Sequence, residues 1–357
     1  MEMRRPDLSK VDPEVREYIQ TLEAEIERLQ SPGARPRSRA TQDGDLVESV
    51  AAIAEPIEPP TTINLITATA SCTAKRTPRH LYTRQNRGGM GVFDLETSRD
   101  EQPVVLALAD ESADLLLITN LARAFRLPVS AIPQKEVRDK GEKIIQRYDL
   151  LDGEQLACIL ADKAEGYVAL LSERGDVRLL RHHVFGEFMK PGTQLYDIKT
   201  FGPLAAACRT SGSDDLFIAT SAGKGIRFSE KLVPPQGGPG IRLADDDRAV
   251  AITGVSDDSG VFLLAEDGKG IIRLMSGFSA NKSPGGGGKI ALSTDHLVGA
   301  SRVEANDDIF VISKLGKIIR FPAEQVPEKE SVVQGVICMS LRGDETTALV
   351  VSESSYL

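Results

Sequence analysis

The stretch Leu216-Phe217-Ile218-Ala219-Thr220, followed after a short turn by Ile226-Arg227-Phe228, carries the pattern that decides the fold. An apolar run, a tight turn and a second apolar run that ends at a basic residue predict a β-hairpin. The pattern occurs six times, and its basic residues are Arg76, Arg126, Arg178, Arg227, Arg273 and Arg320. Successive arginines are 50, 52, 49, 46 and 47 residues apart. We therefore expect six repeated units after residue 60.

Each unit has a second half, in which a glycine-bearing loop leads into a further apolar strand. Examples are residues 87–95, residues 236–243 and residues 284–292. Roughly four short strands per unit, repeated six times, are typical of a radial disc of sheets. One four-stranded unit cannot bury both of its faces, so neighbouring units must stack and the ring must close. The sequence predicts an all-β, six-bladed, propeller-like fold over residues 61–357.

The part of the chain before the repeats has a different composition. In residues 12–30, Asp12 is a suitable N-cap and Pro13 fits the first helical position. A narrow apolar stripe follows at Val15, Ile19, Leu22, Ile26 and Leu29. Residues 1–30 are therefore predicted to be a tail and a short coiled-coil-like helix. The helix either self-associates, which we favour, or docks on the body or on a partner. Residues 31–60 are rich in proline and charge and predict a flexible linker.

Composition excludes several classes of protein. The 357 residues carry a net charge of -9, and no apolar run approaches the roughly 18 residues that would span a bilayer. The chain begins Met-Glu-Met-Arg-Arg-Pro-Asp and lacks the apolar core of a secretory signal, so we expect a cytoplasmic protein with no membrane partner. The four cysteines, Cys72, Cys158, Cys208 and Cys338, are far apart and predict buried thiols rather than a zinc site.

No catalytic or cofactor-binding motif is evident. The run Gly285–Gly288 precedes Lys289, but no Ser or Thr follows the lysine as a phosphate loop requires. His182-His183 has no recognisable nucleophile setting. The acidic pairs at 214–215, 257–258 and 307–308 mark junctions between units, where we expect solvated turns rather than calcium sites. We expect no metal, no cofactor and no enzymatic activity.

Basic residues are concentrated at the start of the repeats. The window from Thr61 to Phe93 contains five Lys/Arg and no Asp or Glu, which indicates a polyanion footprint in an acidic chain. The recurring arginines are expected to be mostly architectural and to bond the carbonyl oxygens or acids of the neighbouring blade. Basic residues in the loops that follow them are better placed to lie on an outer rim.

Two motifs in this window carry a family resemblance. Together with the six hairpin units, Lys75-Arg76-Thr77-Pro78 and Gln85-Asn86-Arg87-Gly88-Gly89-Met90-Gly91 resemble the C-terminal domain of the A subunit of DNA gyrase and topoisomerase IV. The second motif resembles the gyrase-A box, Gln-Arg-Arg-Gly-Gly-Lys-Gly. Asn86 and Met90 stand where the family has Arg and Lys. The resemblance covers residues 61–357.

The resemblance implies a β-pinwheel whose basic rim binds double-stranded DNA without reading its sequence and bends or wraps it. The implied DNA-binding residues are Lys75, Arg76, Arg79, Arg84, Gln85, Arg87, Gly88, Gly89, Gly91, Lys135, Arg138, Lys140 and Lys143. The family's catalytic Arg-Tyr pair has no counterpart, since the Arg147-Tyr148 dipeptide belongs to the second unit. We therefore expect a stand-alone homologue without strand-cleavage activity, acting beside a type IIA topoisomerase or separately. The alternative is a protein-interaction scaffold that has kept the pinwheel and lost strong DNA binding.

Overall fold

The computed structural model describes residues 58–96, 101–145 and 150–352. The predicted N-terminal helix and nearly all of the predicted linker lie outside these residues. The described residues form six separate sheets, so the prediction of an all-β fold with six blades is confirmed. No helix in these three ranges is long and apolar enough to cross a membrane.

Each blade contains three long antiparallel strands, and the third strand of each unit lies innermost. In chain order these strands are Ile63–Thr69, Thr73–Pro78 and Pro103–Asp110 in blade 1; Asp114–Thr119, Arg123–Pro128 and Leu156–Ala161 in blade 2; Tyr167–Ser172, Asp176–Arg181 and Leu204–Thr210 in blade 3; Asp215–Thr220, Lys224–Ser229 and Ala249–Val255 in blade 4; Gly260–Ala265, Lys269–Leu274 and Leu297–Val303 in blade 5; and Asp308–Ser313, Lys317–Pro322 and Thr346–Ser352 in blade 6. The six innermost strands line a central cavity of about 640 Å³.

The outermost strand of each blade comes from the following unit. These two-residue strands are Glu142–Lys143 on blade 1, Thr193–Gln194 on blade 2, Gly238–Pro239 on blade 3, Lys289–Ile290 on blade 4, Val336–Ile337 on blade 5 and Val92–Phe93 on blade 6. Glu328–Lys329 adds a short parallel pairing to blade 5. We expected the strand after each glycine loop to complete its own blade. It instead crosses to the neighbouring blade, and for the first unit that neighbour is blade 6.

Aromatic contacts between neighbouring units show how the blades stack. Tyr82 packs edge-to-face on Phe310, with ring centroids 6.0 Å apart, and joins unit 1 to blade 6. Phe217 of blade 4 contacts Phe278 of unit 5 at 5.2 Å in the same geometry. All four rings are almost fully buried. Such pairs stabilise a core beyond the burial of their area, so the ring is held together by contacts between units.

A short 3-10 turn follows the second strand of every blade. The turns are Arg79–Leu81, Val129–Ala131, His182–Phe185, Glu230–Leu232, Met275–Gly277 and Ala323–Gln325. Unit 3 adds a four-residue helix, Ile198–Phe201, which the Asp197 side chain caps. Each 3-10 turn leads into the loop that carries the exchanged outer strand, and these loops form the rim.

Candidate nucleic-acid interface

Four of the six recurring arginines clamp neighbouring blades together. In blade 4, Arg227 Nε donates to Asp215 at 2.8 Å, and its Nη1 donates to the main-chain oxygen of Met275 in the next unit at 3.0 Å. Arg76, Arg126 and Arg320 make equivalent bonds to main-chain oxygens of the next unit, at Ile132, Phe185 and both Arg79 and Tyr82 respectively. These contacts identify the four arginines as architectural.

Arg178 and Arg273 do not form this clamp, and the expected equivalence of all six arginines is wrong. Arg227 is the fourth residue of its strand, whereas Arg178 is the third residue and Arg273 the fifth. Because neighbouring residues of a strand point to opposite faces, a shift of one position turns the side chain away from the clamp site. Arg178 Nε and two nitrogens of Arg273 are buried without a hydrogen-bond partner in the described residues.

The acidic pairs at the unit junctions are partly buried, and the expectation of solvated turns is wrong for two of the three. Asp308 is buried and binds Arg320 at 2.5 Å and Arg84 at 3.0 Å. Asp215 is the partner of Arg227. A buried guanidinium needs a partner, and these carboxylates provide it from the start of the same hairpin.

The gyrase-A box closes the ring. Residues 85–91 leave blade 1, and Val92–Phe93 then pairs with Lys317 and Ile318 of blade 6. The main-chain nitrogen of Gln85 donates to Arg320 O at 2.7 Å, and Arg87 Nε donates to Gln325 O at 2.8 Å. Arg87 Nη1 reaches Ile337 O at 2.9 Å. The box residues that match the family motif therefore bind protein in this structure.

The glycines of the box allow this close approach. Gly91 has φ +69°, and a Cβ there would lie 2.5 Å from Ile318 O. Gly88 donates its main-chain N–H to Cys338 O at 2.8 Å, and Gly89 O accepts from Ser340 at 2.9 Å. The two positions that differ from the family motif, Asn86 and Met90, are both exposed. The box thus keeps the residues that hold the ring and lacks cations where it faces solvent.

Two other predicted contact residues, Lys75 and Arg79, lie inside the protein rather than on the rim. The Lys75 side chain is 0% exposed, and its Nζ binds the Asp94 carboxylate at 3.0 Å and Glu136 O at 2.9 Å. The Tyr82 hydroxyl also donates to Asp94, at 2.7 Å, and burial together with this carboxylate raises the pKa of Tyr82. Arg79 is 2% exposed and binds Glu58 at 2.6 Å. Neither cation is accessible to a phosphate group in this structure.

The remaining predicted cations lie in the rim loop of unit 2. Arg138, Lys140 and Lys143 are exposed, whereas Lys135 is half-buried and hydrogen-bonds Glu142 at 2.9 Å, which raises the pKa of Lys135. Lys140 faces Glu96 at 3.5 Å and Lys143 faces Glu101 at 4.0 Å. Exposed pairs of this kind are weak, so a phosphate can compete for the lysines.

Arg138 has an unusual backbone. Its φ is +78°, in the left-handed region that a side chain disfavours by about 1–2 kcal/mol. It stands three residues before Gly141, as Gly88 stands before Gly91 and Gly285 before Gly288, and both Gly88 and Gly285 also have positive φ. An exposed arginine therefore occupies a position that two other units fill with glycine.

The structure brings further cations to the rim, beyond those expected from the sequence. Exposed cations in or beside the rim loops of units 3 to 6 are Lys190, Arg242, Lys282, Lys289 and Lys329. A signal for most of them was available in the sequence, since they lie within a few residues of the glycine that precedes each exchanged strand. No cluster of three or more potential metal ligands occurs among the described residues.

Comparisons with known proteins agree with this architecture. Residues 64–101, 113–157, 214–256 and 307–352 match the family model described as DNA gyrase C-terminal domain, beta-propeller. The DNA gyrase A subunit of Mycoplasma pneumoniae is 26% identical over 291 residues, which are 79% of this chain and 35% of that protein. The DNA gyrase A subunit of Chlamydia pneumoniae is 28% identical over 304 residues, which are 81% of this chain and 36% of that protein. The chain spans about a third of the length of these relatives.

Solved structures share the fold. The DNA gyrase A C-terminal domain superposes with a TM-score of 0.70 at 20% identity, covering 80% of this chain and 98% of that chain. The C-terminal domain of DNA topoisomerase IV gives 0.59 at 17% identity, covering 84% and 95%. A ring of six sheets that exchange their outer strands defines a β-pinwheel. The domain belongs to the gyrase A C-terminal domain family.

Proposed function

We propose that this domain binds duplex DNA along its rim without reading the sequence, and bends it. The observation that carries the proposal is the rim loop of unit 2, where Arg138, Lys140 and Lys143 are exposed and only weakly paired. Membership of the gyrase A C-terminal domain family supports a role in DNA topology. An isolated basic loop would be weaker support, but exposed cations occur in or beside the rim loop of every later unit.

The mechanism follows from where these charges lie. Lys and Arg side chains on the rim neutralise backbone phosphates and release counterions, which gives affinity and positions the duplex. The described residues contain one four-residue helix, too short to read bases in a major groove. Discrimination between DNA sites would therefore depend on how readily each sequence bends.

The box contributes to this function indirectly in our proposal. Arg87 and the box glycines hold blade 6 against blade 1 and so keep the rim continuous, while Asn86 and Met90 add no charge. Each absent phosphate contact lowers the steepness of the salt dependence by about one. We therefore expect weaker binding than a fully basic box would give, with most contacts made by unit 2.

We further propose that the domain has no strand-cleavage activity and assists a type IIA topoisomerase or acts as an architectural protein. The matched regions correspond to the C-terminal domain of the relatives. Self-association through residues 12–30 also stays a proposal, as does a cytoplasmic, nucleoid-associated location. Mixing the purified protein with a topoisomerase and relaxing closed circular DNA tests for wrapping. A change in linking number is expected, and unchanged topoisomers would contradict wrapping.

Direct binding is tested by fluorescence anisotropy with two labelled duplexes of equal length and unrelated sequence. Equal affinities are expected, together with weaker binding by an Arg138→Gln/Lys140→Gln/Lys143→Gln variant. The matched control is Lys163→Gln/Lys199→Gln, which removes exposed cations outside the rim loops. An equal loss in the control would contradict a specific rim path.

The second candidate function is a protein-interaction scaffold, and exposed apolar residues favour it. Phe188 in the rim loop of unit 3 is 98% exposed, and Met90, Phe93 and Ile337 are exposed near the ring closure. Large exposed apolar side chains that lie together are typical of interaction surfaces. If wild-type protein does not bind duplex DNA at about 50 mM salt, where electrostatic contacts are strong, the scaffold becomes the better explanation.

A further inference from the structure

Two cations meet at one aromatic ring where blades 4 and 5 join. Lys289 Nζ lies 4.3 Å from the centre of the Phe278 ring, and the Arg273 guanidinium carbon lies 5.7 Å from it. Lys289 belongs to the exchanged strand on blade 4, whereas Arg273 belongs to the second strand of blade 5. The exchange of strands thus brings together side chains from two blades.

Arg273 is charged, buried and unmatched. It is 5% exposed, and neither its Nε nor its Nη1 has a hydrogen-bond partner in the described part of the chain. Glu330 acts on it only through the longer-range field, because the Glu330 carboxylate accepts from Ser276 at 3.0 Å instead. Burial lowers the pKa of Arg273. An unpaired buried charge is strongly unfavourable, so this guanidinium is a site for an anion.

Lys289 adds a second uncompensated charge. Its ammonium donates to the Ser279 hydroxyl at 3.3 Å and has no ion pair with any described residue. Burial, followed by repulsion from Arg273 and Arg227, lowers the pKa of Lys289. Arg227 differs because Asp215 and Asp257 neutralise it, at 2.8 and 2.6 Å. The cluster therefore keeps excess positive charge.

We propose that Arg273, Lys289 and Ser279 form a phosphate-binding subsite above Phe278. A guanidinium offers parallel N–H donors that suit a phosphate, and an ammonium and a hydroxyl complete the set of donors. The phosphate is either a backbone phosphate of duplex DNA on the rim, an assignment that rests on the proposed function, or a free phosphate ion. The subsite lies in the blade 4–5 region, away from the unit 2 loop, and provides a second anchor.

The test uses sodium phosphate as the probe and thermal unfolding of the full chain as the readout. Phosphate should raise the melting temperature of wild type more than that of Lys289→Gln or Arg273→Leu, each compared with sodium chloride at equal ionic strength. Phosphate stabilises proteins generally by exclusion, and the control Lys314→Gln, an exposed lysine paired with Glu345, measures that part. Lys289 is exposed, so its variant is expected to fold.

A parallel titration with duplex DNA distinguishes the two sources of phosphate. If Lys289→Gln loses the phosphate effect and also binds DNA several-fold more weakly, the ligand is the DNA backbone. If it loses the phosphate effect and binds DNA normally, the subsite holds a free phosphate ion. A phosphate effect equal in wild type, Lys289→Gln and Arg273→Leu overturns the subsite, whether or not wild type binds DNA.

Discussion

Arg87 Nη1 donates a hydrogen bond to Ile337 O at 2.9 Å, although 250 residues separate them in sequence. Arg87 lies in the box of the first unit, and Ile337 lies in the last unit on the outer strand of blade 5. The neighbouring Val92–Phe93 strand completes blade 6. One short loop therefore contacts both ends of the ring, and its residues should influence stability more than DNA binding.

Replacement of Arg87 should loosen the ring. Arg87→Ala removes side-chain bonds to Gln325 O and Ile337 O, and hydrogen bonds from a charged donor contribute about 1.5–3 kcal/mol each in favourable cases. Because Arg87 is half-buried, we expect a loss of about 2 kcal/mol in the free energy of unfolding in urea. Hydrogen exchange at Val92–Phe93 should become faster. Lys143→Ala, which removes an exposed charge on another loop, should change neither quantity.

The box glycine Gly91 should be intolerant of any side chain. In Gly91→Ala, the left-handed backbone costs about 1 kcal/mol and the contact with Ile318 O adds a clash. Gly153→Ala is the matched control, because Gly153 has φ +71° and open space around its Cβ position. We expect Gly91→Ala to lower the melting temperature clearly more than Gly153→Ala. Equal shifts would mean that the loop can move away from blade 6.

The buried pair of Lys75 and Asp94 should be a major determinant of stability. Lys75→Met leaves Asp94 as a buried carboxylate without its cation, which costs about 3–5 kcal/mol in comparable cases. Chemical denaturation measures the loss. Lys140→Met on the rim should change stability by less than about 0.5 kcal/mol. If the two variants unfold alike, the interior position of Lys75 is incorrect.

Arg138 should affect stability and DNA binding in opposite directions. Arg138→Gly relieves the positive φ and should stabilise the fold by about 1 kcal/mol, since glycine adopts this backbone freely. The same change removes an exposed cation and should weaken duplex binding. Arg138→Ala keeps the strain and loses the charge, so it should weaken binding without the gain in stability. A binding constant unchanged in both variants would remove Arg138 from the interface.

The fold was predictable because each unit contains its own hairpin pattern. The apolar runs and their spacing of about 50 residues indicate stacked blades without any knowledge of long-range pairing. The exchange of outer strands was not predictable, because Val92–Phe93 has the same sequence pattern whether it pairs with blade 1 or blade 6. Arg273 shows a related limit. One inserted residue places Ile272 at the clamp position, and a pattern of residue types does not report that shift.

The candidate interface was only partly predictable for a similar reason. Composition identifies Lys75 and Arg79 as basic, but their burial depends on partners such as Asp94 and Glu58, which lie 19 and 21 residues away in sequence. The exposed cations of unit 2 were expected on the rim and lie there. Lys282 and Lys289 become visible as rim residues only when the loops are aligned on the glycine before the exchanged strand.

Rim cations are proposed to bind DNA while the box closes the ring, and one salt series tests this division most directly. Duplex affinity is measured from about 50 to 200 mM salt for wild type, Lys140→Gln/Lys143→Gln and Arg87→Gln. We predict that the lysine variant reduces the slope of log affinity against log salt by about 2, one for each lost contact, with unchanged stability. Arg87→Gln should lower stability and leave the slope nearly unchanged. A reduced slope in Arg87→Gln and an unchanged slope in the lysine variant would contradict this division.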